Sequence, residues 1–129
     1  MSKMDDAALN SIKVLALDMI DKAGSGHPGI VLGAAPILYA LYKEQMDVIP
    51  SNPNWINRDR FVMSAGHGSA LLYSVLYHMG YGIDMEELKH FRDLSSLTPG
   101  HPEVKVTPGV DASTGPLGQG VGMAVGGLL

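Results

Sequence analysis

The stretch Arg60-Phe61-Val62-Met63-Ser64-Ala65-Gly66-His67-Gly68-Ser69-Ala70-Leu71-Leu72-Tyr73 decides how this chain is read. Phe61, Val62 and Met63 stand between Arg60 and Ser64 and predict a short buried strand. Gly66 and Gly68 remove the Cβ atoms on both sides of His67, which suits a tight turn or the close approach of a ligand to the main chain. From Ser69 to about Met79 the spacing is helical, and Gly80 and Gly82 stop it. A turn feeding a helix N-terminus offers unpaired N–H groups and the positive end of a dipole, a setting that suits phosphate. The stretch therefore reads as an anion-binding loop with His67 as its side-chain donor. The plainer alternative is a glycine-rich structural turn.

On the N-terminal side, Asn57-Arg58-Asp59 leads into the expected strand, and Ile49-Pro50-Ser51-Asn52-Pro53-Asn54 is turn chemistry. A helix is expected before it, from about Leu32 to Gln45, with Pro36 in its first turn, where proline is tolerated. Gly24-Ser25-Gly26-His27-Pro28-Gly29 matches G-x-G-x-x-G. The dinucleotide fingerprint needs a strand in front of it, and a helix stands there instead, so that reading fails. This first helix runs to about Ala23, with Asp5 or Asp6 as its cap and Lys22 in its last turn. Ile12, Leu15, Met19 and Ala23 recur at helical spacing, with Leu9, Val14, Ala16, Leu17 and Ile20 widening the apolar arc.

On the C-terminal side, Asp84 and Glu87 form a capping box for a short helix to about Arg92. Residues 93 to 118 read as loop, a length that is functional or disordered in a compact domain. The apolar run from Val121 to Leu129 starts another helix. The tally is four or five helices and one strand, and a lone strand makes no sheet. Part of a larger α/β domain is expected to be missing.

With 129 residues there is one domain at most, and 46% hydrophobic residues suffice for a core. Charged residues are only 17% and the mean hydropathy is +0.12, which hints at a surface partly covered by something else. The net charge of -4 leaves no basic patch for nucleic acid. No run of about twenty apolar residues suggests a membrane span. The start, Met1 to Asp6, lacks the basic and apolar regions of a signal peptide. The absence of cysteine excludes disulfides and Cys-based zinc sites and is compatible with the cytoplasm.

His27, His67 and His101 each sit beside glycine, and His27 and His101 are also followed by proline. Three readings stay open on spacing alone. They bind zinc, although no pair has the i, i+4 spacing of helical histidine sites and no Cys assists. They are structural donors to turn carbonyls. Or they converge on one polar ligand, donating to phosphate and hydroxyl oxygens and moving protons near neutral pH. His78 and His90 lie in helical patterns and read as ordinary helix residues. The turn Gly115-Pro116-Leu117-Gly118-Gln119-Gly120 leads glycine-rich backbone into a helix, which suits main-chain contacts to a cofactor or close helix packing. It is no Walker A loop, since no Gly-Lys-Ser/Thr follows.

Five motifs occur in order: Ser25-Gly26-His27-Pro28-Gly29; Asn57 to Val62; Ser64-Ala65-Gly66-His67-Gly68-Ser69-Ala70-Leu71-Leu72-Tyr73; Thr98-Pro99-Gly100-His101-Pro102-Glu103; and Gly115 to Gly120. Together they resemble the N-terminal part of transketolases, the thiamine-diphosphate enzymes, from about Ser11 to Gly126. The resemblance implies an incomplete N-terminal part of a thiamine-diphosphate-binding parallel-sheet α/β domain, mostly helical in the portion present. Residues 1–129 would be the N-terminal portion of the pyrophosphate-binding domain, truncated before its metal-binding segment.

The implied activity is transfer of a two-carbon ketol unit from a ketose phosphate to an aldose phosphate, within the pentose phosphate pathway. The cofactor carries the hard chemistry while the protein orients it and handles protons and charge. By this resemblance His67 contacts the cofactor diphosphate. His27 and His101 are catalytic and line the substrate channel, His101 near the donor hydroxyls and His27 near the reacting oxygens and phosphate. Gly115 and Leu117 contact the cofactor rings through main chain and apolar surface. A divalent cation, Mg or Ca, would be held in the full-length parent by residues outside this chain, which supplies no metal ligand. The parent would be a cytoplasmic homodimer, or the chain would be completed by a second one, with the cofactor between subunits. Val31 departs from the family, where proline is common, and Gly127-Leu128-Leu129 leave its usual helix pattern. The 129 residues alone are expected to be inactive. Another reading is a non-catalytic remnant or split subunit that binds partner chains.

Overall fold

The computed structural model describes residues 2–127. Its elements are helices: α1 (Lys3–Ala23), α2 (Pro28–Ala40), α3 (Ser69–Met79), α4 (Met85–Lys89) and α5 (Gln119–Gly126). A π-helical turn, Leu41–Gln45, continues α2, and a 3-10 turn, Gly66–Gly68, introduces α3.

The centre is α3. Every residue from Ser69 to Leu76 is buried, so this helix is covered on all sides. A helix that is apolar all round needs such a position, because no face suits water. α1 and α2 pack on it and on each other, and α4 closes against α1 and α3. α1 contributes Leu9, Ile12, Ala16 and Met19, and α2 contributes Val31, Ala35 and Leu38, each series at helical spacing. The buried Ser74 hydroxyl donates to the Ile12 carbonyl at 2.8 Å, tying α3 to α1 without leaving a polar atom orphaned.

The element order follows the sequence, and several boundaries move. The cap of α1 is Ser2, not Asp5 or Asp6. Ser2 Oγ accepts from the Asp5 N–H, and the Asp5 carboxylate accepts from the Ser2 N–H, a reciprocal box. Val14 on α1 is exposed rather than part of the apolar arc. α2 begins at Pro28, earlier than expected, since proline is pre-shaped for a first helical position. Pro36 consequently lies inside α2 and not in its first turn. Lacking an N–H, it leaves the Leu32 carbonyl without its i→i−4 bond, on a face exposed to water. The wider turn that follows closes with the Met46 N–H donating to the Leu41 carbonyl at 2.9 Å.

α4 ends at Lys89 rather than Arg92. Asp84 accepts from the Glu87 N–H at 2.9 Å, but the Glu87 carboxylate takes the Leu97 N–H instead of completing the box. The expected strand over Phe61 to Met63 does not form, and no strand occurs among the described residues. A strand exists through ladder bonds to a neighbour. Here the Phe61 N–H donates to the Asp111 carboxylate at 2.9 Å, and the other carboxylate oxygen is held by Arg58. The helix expected at Val121 is α5, and the part of that expectation falling on Leu128 and Leu129 lies outside the described residues.

Candidate functional site

Four glycine-bearing segments meet around His67. Its turn is shaped by the Gly68 N–H donating to the Ala65 carbonyl at 2.8 Å, and α3 starts at the next residue. The turn packs directly on the loop before α5. A Cβ at Gly66 would lie 2.8 Å from Gly115 N, Thr114 C and Thr114 Oγ1. Only glycine allows the two backbones this approach. A second such contact anchors α5, because a Cβ at Gly120 would lie 2.5 Å from Ser64 Cα.

The three loop histidines are brought together in sequence. His27 is the N-terminal flanking residue of α2, and its ring meets that of His67 edge-on at 5.1 Å between centroids. His101 lies against Gly115, where a Cβ would stand 3.6 Å from its Cδ2. The Thr114–Gly115 backbone thus touches both Gly66, the residue before His67, and His101. Leu117 is displaced from this contact set and 69% exposed. His78 and His90 are elsewhere. His78, within α3, bonds Ser11 at 2.9 Å and the Ser74 carbonyl at 2.7 Å, whereas His90 lies just past the end of α4, not inside a helix, and bonds Asp93 at 2.8 Å.

The loop carrying His101 is held by α3. Ser69 Oγ donates to the Gly100 carbonyl at 2.7 Å. Tyr73 Oη lies 2.8 Å from the Pro99 carbonyl and 3.2 Å from the His101 carbonyl. Burial pushes the Tyr73 phenol above its ordinary value, so it remains a neutral donor. The Thr114 N–H donates to the Pro102 carbonyl at 3.1 Å, fastening the loop to the turn before α5. One helix therefore positions two of the three histidines.

Two atoms at the centre of this arrangement lack partners. His67 Nδ1 and Thr114 Oγ1 are buried and make no hydrogen bond. Buried polar atoms are paired in folded proteins as a rule, so orphans call for a missing partner. Thr114 was not singled out in the sequence. A hydroxyl directly before the Gly115 turn was the available signal. Helical spacing marks Ser69 and Tyr73 only as core, and their hold on the His101 loop emerges from the structure.

The zinc reading gains nothing, for no group of three metal-ligating side chains occurs among the described residues. A cleft of about 580 Å³ lined by Arg58, Arg60, Lys105 and Thr107 includes none of the three histidines. No helix among the described residues is long and apolar enough to cross a membrane.

The family profile described as "Transketolase, thiamine diphosphate binding domain" matches residues 4–128. Transketolase from Geobacillus stearothermophilus is 58% identical over 123 residues, covering 95% of this chain and 18% of the relative. Transketolase-1, chloroplastic, from Arabidopsis thaliana is 54% identical over 97% of this chain and 17% of its own length. Among solved structures, the Pichia stipitis transketolase complex with sedoheptulose-7-phosphate superposes with a TM-score of 0.94 at 51% identity, covering 97% of this chain and 18% of that one. The Campylobacter jejuni transketolase superposes with a TM-score of 0.92 at 52% identity, covering 98% and 20%. The chain thus spans about one fifth of the length of the proteins it resembles.

Proposed function

Because this chain belongs to the transketolase family, in its thiamine diphosphate binding domain, we propose that the whole protein transfers a two-carbon ketol unit from a ketose phosphate to an aldose phosphate. The observation that carries the site assignment is the pair of orphaned buried atoms, His67 Nδ1 and Thr114 Oγ1, where the glycine loops converge. They suit an anionic, oxygen-rich ligand at the turn that opens α3. The residues present therefore fit thiamine diphosphate: His67 donates to the diphosphate, helped by the dipole of α3. Gly115 offers main-chain contacts to the cofactor rings, and exposed Leu117 offers apolar surface to them. When bound, this cofactor supplies the stabilised carbanion chemistry that side chains lack.

The chain's own residues bind, orient and move protons. His27 and His101 are the catalytic and substrate-lining groups. Imidazole serves there because it both donates and accepts near neutral pH. His101 bonds the donor hydroxyls, and His27, edge-on to His67, serves the reacting oxygens and phosphate. Ser69 and Tyr73 fix the backbone on either side of His101, so its ring is aimed before substrate arrives. The divalent cation, Mg or Ca, is held by residues outside this chain, in a cytoplasmic homodimer or with a complementing chain that completes the cofactor site.

The 129 residues represent the N-terminal portion of the cofactor domain, without its metal-binding segment, and are inactive alone. The alternative of a split subunit draws on the apolar side chains Val121 and Val125 of α5, exposed at 63% and 57%. The test is a coupled ketol-transfer assay on the purified whole protein with thiamine diphosphate and magnesium. Turnover that falls at least tenfold in His27→Ala and His101→Ala supports the reading. Full turnover in both variants, or none in the wild type, overturns it. Turnover by the 129 residues alone overturns their assignment as an inactive portion.

A further inference from the structure

The segment that carries His101, residues 97–102, is held by its carbonyls. The Leu97 carbonyl accepts from Thr107 Oγ1 at 2.6 Å, and the Thr98 carbonyl accepts from the Arg92 N–H at 3.0 Å. Tyr73 Oη reaches the Pro99 and His101 carbonyls, Ser69 Oγ holds that of Gly100, and the Thr114 N–H holds that of Pro102. Six consecutive carbonyls thus accept hydrogen bonds from outside the segment. Two of the donors are main-chain groups. Of the three donating side chains, two lie on α3, and only Thr107 does not.

Thr107 is 2% exposed, so water does not compete for its bond to Leu97. A buried hydroxyl and a buried carbonyl both need a partner, and here each serves the other. The turn after Thr107 is itself fixed. The Val110 N–H donates to the Thr107 carbonyl at 3.2 Å. Gly109 has φ +83°, and a Cβ there would stand 2.6 Å from the Tyr81 ring and 2.9 Å from Leu76 Cδ2. Only glycine lets this turn lie so close to the end of α3. On the side where the chain enters the His101 segment, Leu94 is 97% and Leu97 37% exposed, so apolar burial does little to hold it. The Thr107 hydroxyl therefore ties the loosely buried end of the segment to a turn that the core holds.

We propose that Thr107 is a positioning residue for His101, its hydroxyl holding the Leu97 carbonyl and so setting where the imidazole stands. The proposal rests on the ketol-transfer reading above, in which His101 meets the donor hydroxyls. In this role Thr107 touches neither substrate nor cofactor. A shift of about 1 Å in a reacting group can cost about a hundredfold in rate, so an anchor of this kind is visible in turnover.

The test uses the whole protein and the variants Thr107→Val and Thr107→Ser, with Thr107→Val also placed in the His101→Ala background. Valine keeps the shape and removes the donor, whereas serine keeps the donor. Thr107→Val is expected to lower kcat about tenfold, with an unchanged Kd for thiamine diphosphate, and Thr107→Ser to recover most of the loss. In the His101→Ala background the further loss should shrink below about twofold, because the anchor then has no imidazole to place. Unchanged kcat in Thr107→Val overturns the proposal. A loss that persists in the His101→Ala background, or that serine does not recover, makes Thr107 a general support and also overturns it. So does an equal weakening of thiamine diphosphate binding. If Thr107→Val does not fold by circular dichroism, Thr107→Ala enters the same cycle. If the wild type transfers no ketol unit, the ketol reading fails, and the His101 ring resonances judge the anchor. Displacement in Thr107→Val with return in Thr107→Ser keeps it, and unmoved resonances remove it.

Discussion

Gly66 and Gly68 flank the same histidine, yet they face different neighbours. A methyl group on Gly66 meets backbone, Gly115 N and Thr114 C at 2.8 Å, which cannot move without displacing the site. On Gly68 it meets Met63 Cε at 2.3 Å, the free end of a flexible side chain. Gly66→Ala should therefore cost about 1–3 kcal/mol and Gly68→Ala less, read from urea unfolding midpoints. The reverse order would show that the two loops do not pack as described. Ser69→Ala and Tyr73→Phe each remove the donor to a carbonyl beside His101. Each should cost about 1–2 kcal/mol and shift the His101 ring resonances, while those of His78 stay in place. The three histidines and Gly115 were visible in the sequence because glycine neighbours mark them. Thr114 was not, since a buried orphan is a relation between loops distant in sequence.

At the scale of elements, the Asp5 carboxylate joins α1 to α2 and the π-helical turn. It accepts from the Tyr39 hydroxyl at 2.8 Å and pairs with the Lys43 ammonium. Lys43 chiefly, then the capping box and Tyr39, holds Asp5 well below the usual carboxylate range. A carboxylate depressed in the folded state adds stability that is complete above its unfolded value and is lost as pH falls through the folded one. Melting temperature should therefore drop below about pH 4 more steeply in the wild type than in Asp5→Asn. Parallel pH profiles would remove Asp5 from this role. Element type was readable wherever helical spacing ran long, as in α1 and α3. It failed at Phe61 to Met63, because three apolar residues fit a strand or a buried connector equally, and only the Asp111 bond decides. The cap of α1 differs for a related reason: Ser2 and Asp5 form one reciprocal unit, and an acid at the start of a helical pattern marks either the cap or the third position of a box.

Across the whole molecule, the core gathers around α3, while Leu117, just before α5, and Val121 and Val125 on α5 stay exposed. Low charge content signalled such uncovered surface, and the five ordered motifs signalled the family. The meeting of the His27, His67, His101 and Gly115 segments was legible only through that resemblance, since spacing along the chain leaves their arrangement open. The claim on which the rest depends is that His67 and Thr114 receive a diphosphate. The most direct measurement is the Kd of the whole protein for thiamine diphosphate, with magnesium, in the wild type, His67→Ala and Thr114→Val. The account predicts that each variant binds about tenfold or more weakly, with unchanged far-ultraviolet circular dichroism. Wild-type affinity in both folded variants would contradict it.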